Sequence, residues 1–140
     1  MKLGAILLTA LALTACGSHR PRSPEDVARS WSAALDRGDD EGAARLFADG
    51  AEVVQGEALT LRTHADAVRW NAALPCGATI LSVTKRSPTD VLVVFRLDER
   101  PRHACDGPGQ RAAALFRVRA GKIVLWHQTP VPQPAPGQVV

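Results

Sequence analysis

The sequence predicts an α+β fold, with three N-terminal helices packed on a curved antiparallel sheet to form a cone. Three observations predict it. Between Ser23 and Leu74, apolar residues recur at helical spacing behind residues that cap helices. From Pro75 to Gln128 the pattern changes to alternating runs separated by turn signals, the mark of strands. The stretch between the two polar ends holds about a hundred residues, which suits one domain with one core. No internal repeat is present.

The first helix starts at Pro24. Ser23 is its cap, Pro24 takes the first helical position, and Glu25 and Asp26 complement the dipole of the first turn. Val27, Trp31, Ala34 and Leu35 fall on one face, and Gly38 ends the helix. A second short helix begins near Asp39 or Asp40 and carries Ala43, Ala44, Leu46 and Phe47. The acids Asp36, Asp39, Asp40 and Glu41 look like a calcium loop but lack EF-hand spacing, and capping explains Asp39 and Asp40 better. The run AEVVQG, residues 51–56, reads as a short strand. Thr63 caps a third helix, with Asp66 in capping-box position, which runs to about Leu74 and stops at Pro75. Strands are expected at 78–86, 91–98, 111–119 and 122–128.

Residues 1–15 have the layout of a secretory signal peptide: Lys2, then an uncharged run from Leu3 to Ala15 too short for a comfortable membrane span. Leu13-Thr14-Ala15-Cys16 resembles the bacterial lipobox. That resemblance implies cleavage before Cys16 and lipidation of its thiol and new amino group. The expected partner is therefore the membrane, reached through an anchor on Cys16 at the extracytoplasmic face. Residues 16–23 read as a tether, either a solvated linker or one in which Arg20 and Arg22 would lie near the lipid surface, where each cation gains about 1 kcal/mol against anionic lipid. The domain spans 24–129. Residues 130–140, with four prolines between Pro130 and Pro136, read as an extended tail outside the core. Loss of Lys2 leaves 16 of the 17 basic residues against 14 acids, a net of +2, too small to argue for nucleic acid.

Two cysteines remain after Cys16. In an oxidising compartment Cys76 and Cys105 are expected to be bridged. The turn SPTD, residues 87–90, folds the runs on either side of it into a hairpin. Cys76 and Cys105 then lie at the same end of the sheet. His103 is near Cys105, but no CxxC or HxxxH spacing accompanies it, so no metal site is expected. No cofactor is called for.

The runs ARSWSAALDRGDDEGAARLFADGAEV and LFRVRAGKIVLW resemble the NTF2-like superfamily, which includes SnoaL-like polyketide cyclases and ketosteroid isomerases. The resemblance covers residues 24–129 and implies a bent sheet wrapped on helices around an internal pocket. It also allows the catalytic positions to be checked. Trp31 stands where an isomerase has its tyrosine oxyanion donor. Gln55 takes the place of the general base, and an amide accepts no proton at neutral pH. Ala114 replaces the second, acidic donor. The cyclase acid near the end of the last strand matches Gln128. Epoxide-hydrolase relatives use an Asp–Arg–Asp set that has no match here, since Arg96 and Arg69 show no acidic partners in the pattern.

His127 is the remaining catalytic candidate, as a base. Its facing depends on the turn at Arg119-Ala120-Gly121. A two-residue loop points His127 inward beside Ala112 and Ala114. A three-residue loop with Gly121 left-handed points Trp126 and Gln128 inward. The second is expected, because related isomerases place a pocket side chain at the Trp126 position. The sequence thus reads as an envelope lipoprotein whose pocket, lined by Trp31, Gln55, Ala114, Trp126 and Gln128, takes a small apolar ligand without evident catalytic groups. The alternatives are a SnoaL-like isomerase, lyase or cyclase using His127, and a domain that pairs with a second copy through the outer face of its sheet.

Overall fold

The computed structural model describes residue 17 and residues 20–137. The signal peptide and Cys16 lie outside the described residues. Ser23 caps α1 (Pro24–Asp36), its Oγ accepting from Asp26 N at 3.1 Å. Asp39 caps α2 (Asp40–Ala44) by accepting from Gly42 N at 2.7 Å. Next come β1 (Phe47–Gln55) and β2 (Glu57–Leu61), then α3 (His64–Ala73), capped by Thr63. A meander of β3 (Gly77–Lys85), β4 (Asp90–Asp98), β5 (Arg111–Arg119) and β6 (Lys122–Thr129) completes the chain. The sheet order is β2-β1-β6-β5-β4-β3. No helix among the described residues is long and apolar enough to cross a membrane.

Three expectations are corrected. The sheet is mixed rather than antiparallel, because β1 pairs with β6 in parallel. No tight turn links these two strands. α3 and the meander form the long connection that parallel pairing requires. The helices also do not all precede the sheet: α3 follows the β1–β2 hairpin, and α2 is only five residues long. Phe47 belongs to β1 instead of the second helix. It pairs with Ile123 and meets Trp70 edge to face at 5.6 Å, so tertiary contacts override the helical pattern. The strand β2 was missed, although Gly56 at φ 78° marks the reversal that creates it.

The inner face of the sheet and α1 build the main core, centred on Trp31, Phe116, Leu35 and Ile123, all at most 2 % exposed. Trp31 packs edge to face on Phe95 and Phe116 at 5.8 and 5.4 Å. The outer face carries a smaller cluster of Leu92, Val94 and Ala113, against which Leu115 and Val131 pack. Val131 lies in the stretch expected to stay outside the core, so the tail is in part bound to the sheet.

Candidate functional site

The β5–β6 turn decides what faces the inside of the cone. Ala120 and Gly121 both have positive φ, 49° and 74°, and Arg119 pairs with Lys122. This is the two-residue loop, not the expected three-residue one. Yet Trp126 faces inward. A register shift follows at once: Val118 pairs with Ile123 but Arg117 with Leu125, leaving Val124 as an extra residue. The bulge reverses the alternation. Ile123 and Trp126 are therefore both buried, and Trp126 lies opposite Phe116 on the inner face. His127 falls opposite Leu115 on the outer face and is exposed. It does not line the cavity, which removes the geometric basis for His127 as a base inside the cone.

A cavity of about 240 Å³ opens at the end of the cone formed by the last residues of β1, β4 and β6 and the first of β3 and β5. Its walls include Trp31, Leu35, Phe95, Ala114 and Trp126. Gln55, Gln128 and Asp106 are exposed and form its rim. The five residues singled out in the sequence, Trp31, Gln55, Ala114, Trp126 and Gln128, thus border one space. Phe95, Leu97 and Asp106 also border it and were missed. The alternation of 91–98 marks Phe95 and Leu97 as one face, but Asp106 sits in a loop with no such signal.

The polar chemistry of this space is sparse. Trp31 Nε1–H donates to Asn71 Oδ1 at 2.8 Å, so the indole at the isomerase tyrosine position spends its donor on the scaffold. Trp126 Nε1 is buried and has no partner among the described residues. Asp106 is the one ionisable side chain on the lining, and it is solvent-exposed at the rim. Among the described residues, no carboxylate or imidazole stands on the deep wall.

Cys76 and Cys105 form a disulfide beside this mouth, with their Cα atoms 4.5 Å apart. The predicted hairpin produces it: Gly77 pairs with Asp98, which holds both ends of the 76–105 loop together. Asp106 lies near the same sulfurs, but the bridge uses both thiols and leaves no thiolate for a metal. The four acids at 36–41 have structural partners. Asp36 accepts from Ala78 N at 2.6 Å, Asp39 is a cap, Asp40 pairs with Arg100, and Glu41 meets His64 at 2.6 Å. Arg96 and Arg69 do have acidic partners, Asp98 and Asp66, each close in sequence and away from the cavity lining.

Arg100 was not singled out by sequence. Its fully buried guanidinium donates to the carbonyls of Asn71 and Leu74, at 3.0 Å each, and to Asp40. It thereby ties the end of α3 to α2 behind the cavity wall.

No family model and no curated protein matches the chain in sequence. Solved structures do match. An NTF2-like protein of unknown function from Cytophaga hutchinsonii superposes with a TM-score of 0.64 at 11% identity, covering 79% of this chain and 92% of that one. The Δ5-3-ketosteroid isomerase from Mycobacterium sp. gives 0.58 at 23% identity, covering 77% and 93%. RV0760c from Mycobacterium tuberculosis, in complex with estradiol-17β-hemisuccinate, gives 0.58 at 20% identity, covering 76% and 93%. The chain has the NTF2-like, ketosteroid-isomerase-like fold.

Proposed function

We propose that the protein is an envelope lipoprotein, anchored through Cys16 at the extracytoplasmic face, whose NTF2-like domain binds a small, largely apolar ligand without turning it over. The observation that carries the binding half is the cavity of about 240 Å³ walled by indole, phenyl and aliphatic groups. Such a lining with a few polar groups at one side is the usual make-up of a small-molecule site. The volume lies below the roughly 300–1,000 Å³ of pockets for drug-sized ligands, which favours a compact ligand of one or two rings. Gln55, Gln128 and Asp106 at the rim would hold its polar end, while Trp126 Nε1–H is a donor for an acceptor that reaches the ring edge. RV0760c, of the same fold, holds a steroid ester, which fits an apolar occupant. The non-catalytic half rests on the lining, where indole and methyl on the wall and carboxamides at the rim stand in the positions that relatives use for oxyanion stabilisation and proton transfer.

Two of the three tryptophans, Trp31 and Trp126, line the cavity, so intrinsic fluorescence reports its occupancy. A screen of one- and two-ring apolar compounds should produce saturable changes that Ala114→Leu abolishes by filling the space. Loss of compound with formation of product, or no saturable binder across a broad set, would overturn the reading. Intact mass of the protein from the membrane fraction tests the anchor: it should begin at an acylated Cys16.

A further inference from the structure

We infer that the end of the cone opposite the cavity docks on an anionic phospholipid surface, holding the cavity mouth away from the bilayer. This rests on the anchoring proposed above and adds an orientation that a lipid on a flexible tether leaves free. The strand registers assemble the surface. Lys85 pairs with Val91 and Arg119 with Lys122, which brings the ends of β3 and β5 and the starts of β4 and β6 to one side. Arg86 follows β3, and Lys122 Nζ donates to the carbonyl of Arg45, just ahead of β1. Lys85, Arg86, Arg119, Lys122 and Arg45 are all exposed, and none is in an ion pair with another described residue.

The tether arrives at this same end. A Cβ placed on Gly121 would stand 3.3 Å from the backbone nitrogen of Arg22, so the chain entering from the anchor crosses the β5–β6 turn. Arg20 and Arg22, both exposed, add their charges there. Residues 17–22 separate Cys16 from the cap of α1. Six residues span at most about 20 Å, so an acylated Cys16 keeps this end near the headgroups. Of the acids nearby, Glu25 pairs with Arg29 and Asp90 with Arg117, leaving Asp26, Asp49 and Glu52 against the seven cations.

The other end has the opposite balance. The mouth lies about 25 Å away along β6, at 3.3 Å per residue. There Asp36, Asp98, Glu99 and Asp106 outnumber Arg96, Arg102 and Arg111. A net charge of only +2 in the mature chain therefore conceals a polarity along the cone. An anionic surface attracts one end and repels the other. Each cation near such a surface is worth about a fivefold gain in partition, within a Debye length.

The test uses the full mature protein on vesicles of phosphatidylcholine, alone or mixed with phosphatidylglycerol, read by amide hydrogen exchange. Amides of residues 85–89 and 119–122 should slow on the mixed vesicles only, with Gln55 and Gln128 unchanged on both. The triple variant Lys85→Glu/Arg86→Glu/Arg119→Glu should abolish that protection while melting at the same temperature. Equal exchange on the two vesicle types overturns the inference, as does slowing at the mouth. If the protein carries no acyl mass, the anchoring reading fails, and cosedimentation of the unacylated chain with the same vesicles decides the docking surface. The triple variant should then lower partition by at least about a hundredfold, since three cations are lost and three repelled carboxylates are added. Equal binding of wild type and variant, or a preference for single-stranded nucleic acid over the mixed vesicles, overturns the assignment to lipid.

Discussion

Trp31 and Asn71 are joined by a buried hydrogen bond, Nε1–H to Oδ1 at 2.8 Å, between α1 and α3 across 40 residues of sequence. Asn71 is wholly buried and also donates to Ala67 O at 2.8 Å. Both of its amide atoms are therefore spent inside the protein. Asn71→Ala should strand the Trp31 N–H and open a small void, costing about 2–4 kcal/mol. Urea unfolding measures it. Trp31→Phe removes the donor and some packing, and the double variant should cost less than the sum, because one bond is lost twice over. Strict additivity would show that the bond contributes nothing.

Asp36 and Asp90 act on acid stability with opposite signs. Burial pushes the Asp36 carboxyl above the ordinary value of 3.8, and nearby Asp98 adds to this, while the Ala78 N–H bond opposes it. The folded state then holds the Asp36 proton more tightly than the unfolded state. Its ionised form lowers stability above the folded value, and that cost disappears as pH falls toward 3.8. The Arg117 guanidinium, with two hydrogen bonds of 2.9 and 2.8 Å, holds Asp90 below 3.8, and Thr89 assists. That stabilisation is present above 3.8 and is lost as pH falls through the folded value. Asp36→Asn keeps the acceptor for Ala78 N, so it should raise the urea midpoint at pH 7, with the gain shrinking as pH falls through the raised folded value toward 3.8. Asp90→Asn should lower the midpoint at pH 7, with the loss shrinking only as pH falls below 3.8 toward the depressed folded value. The same sign for both variants would contradict these electrostatics.

The local signals were readable where one residue settles one question. Ser23, Asp39 and Thr63 announce the three helix starts, because a cap is a short-range bond. The turn between β3 and β4 likewise implied the Cys76–Cys105 bridge. What failed depends on distant partners. Nothing local distinguishes a parallel β1–β6 pair from an antiparallel one. The facing of Trp126 shows the limit well. Ala120-Gly121 allows a two-residue loop, and the bulge at Val124 then undoes its consequence. Two departures from regular pairing cancel, so the expected facing appears through an unexpected route. Arg100 and Asn71 escaped notice because their role lies in carbonyls and an indole supplied by other elements.

The Cys76–Cys105 bridge closes 29 residues of sequence. In the chain-entropy model a loop of that size contributes about 3–4 kcal/mol by restricting the unfolded chain. Cys76→Ala/Cys105→Ala should lower stability by about that amount, measured by urea unfolding. Because Cys76 and Asp106 border the cavity, the variant should also weaken ligand retention beyond the stability loss. Titration of any cavity binder against reduced and oxidised protein measures this. Equal affinity in both states would make the bridge a staple for the fold alone.

Val131 packs on the outer cluster of Leu92, Val94, Ala113 and Leu115, beyond the last strand. Leu92 and Val94 sit on β4, and Ala113 and Leu115 beside them on β5, with Leu92 opposite Leu115 and Val94 opposite Ala113. They form an apolar strip on the side of the sheet away from the cavity. A second copy could pair there only after the tail leaves. Pro130 and Pro132 flank Val131, lack N–H donors and hold the chain extended, so the tail lies flat without extending the sheet. A chain ending at Thr129 should expose the strip and associate with increasing concentration, while the full chain stays monomeric. Val131→Asp should behave like the truncation, since a carboxylate will not lie on that strip unpaired. Sedimentation velocity separates the outcomes: association of the full chain and the truncated chain to the same degree would mean the tail guards nothing.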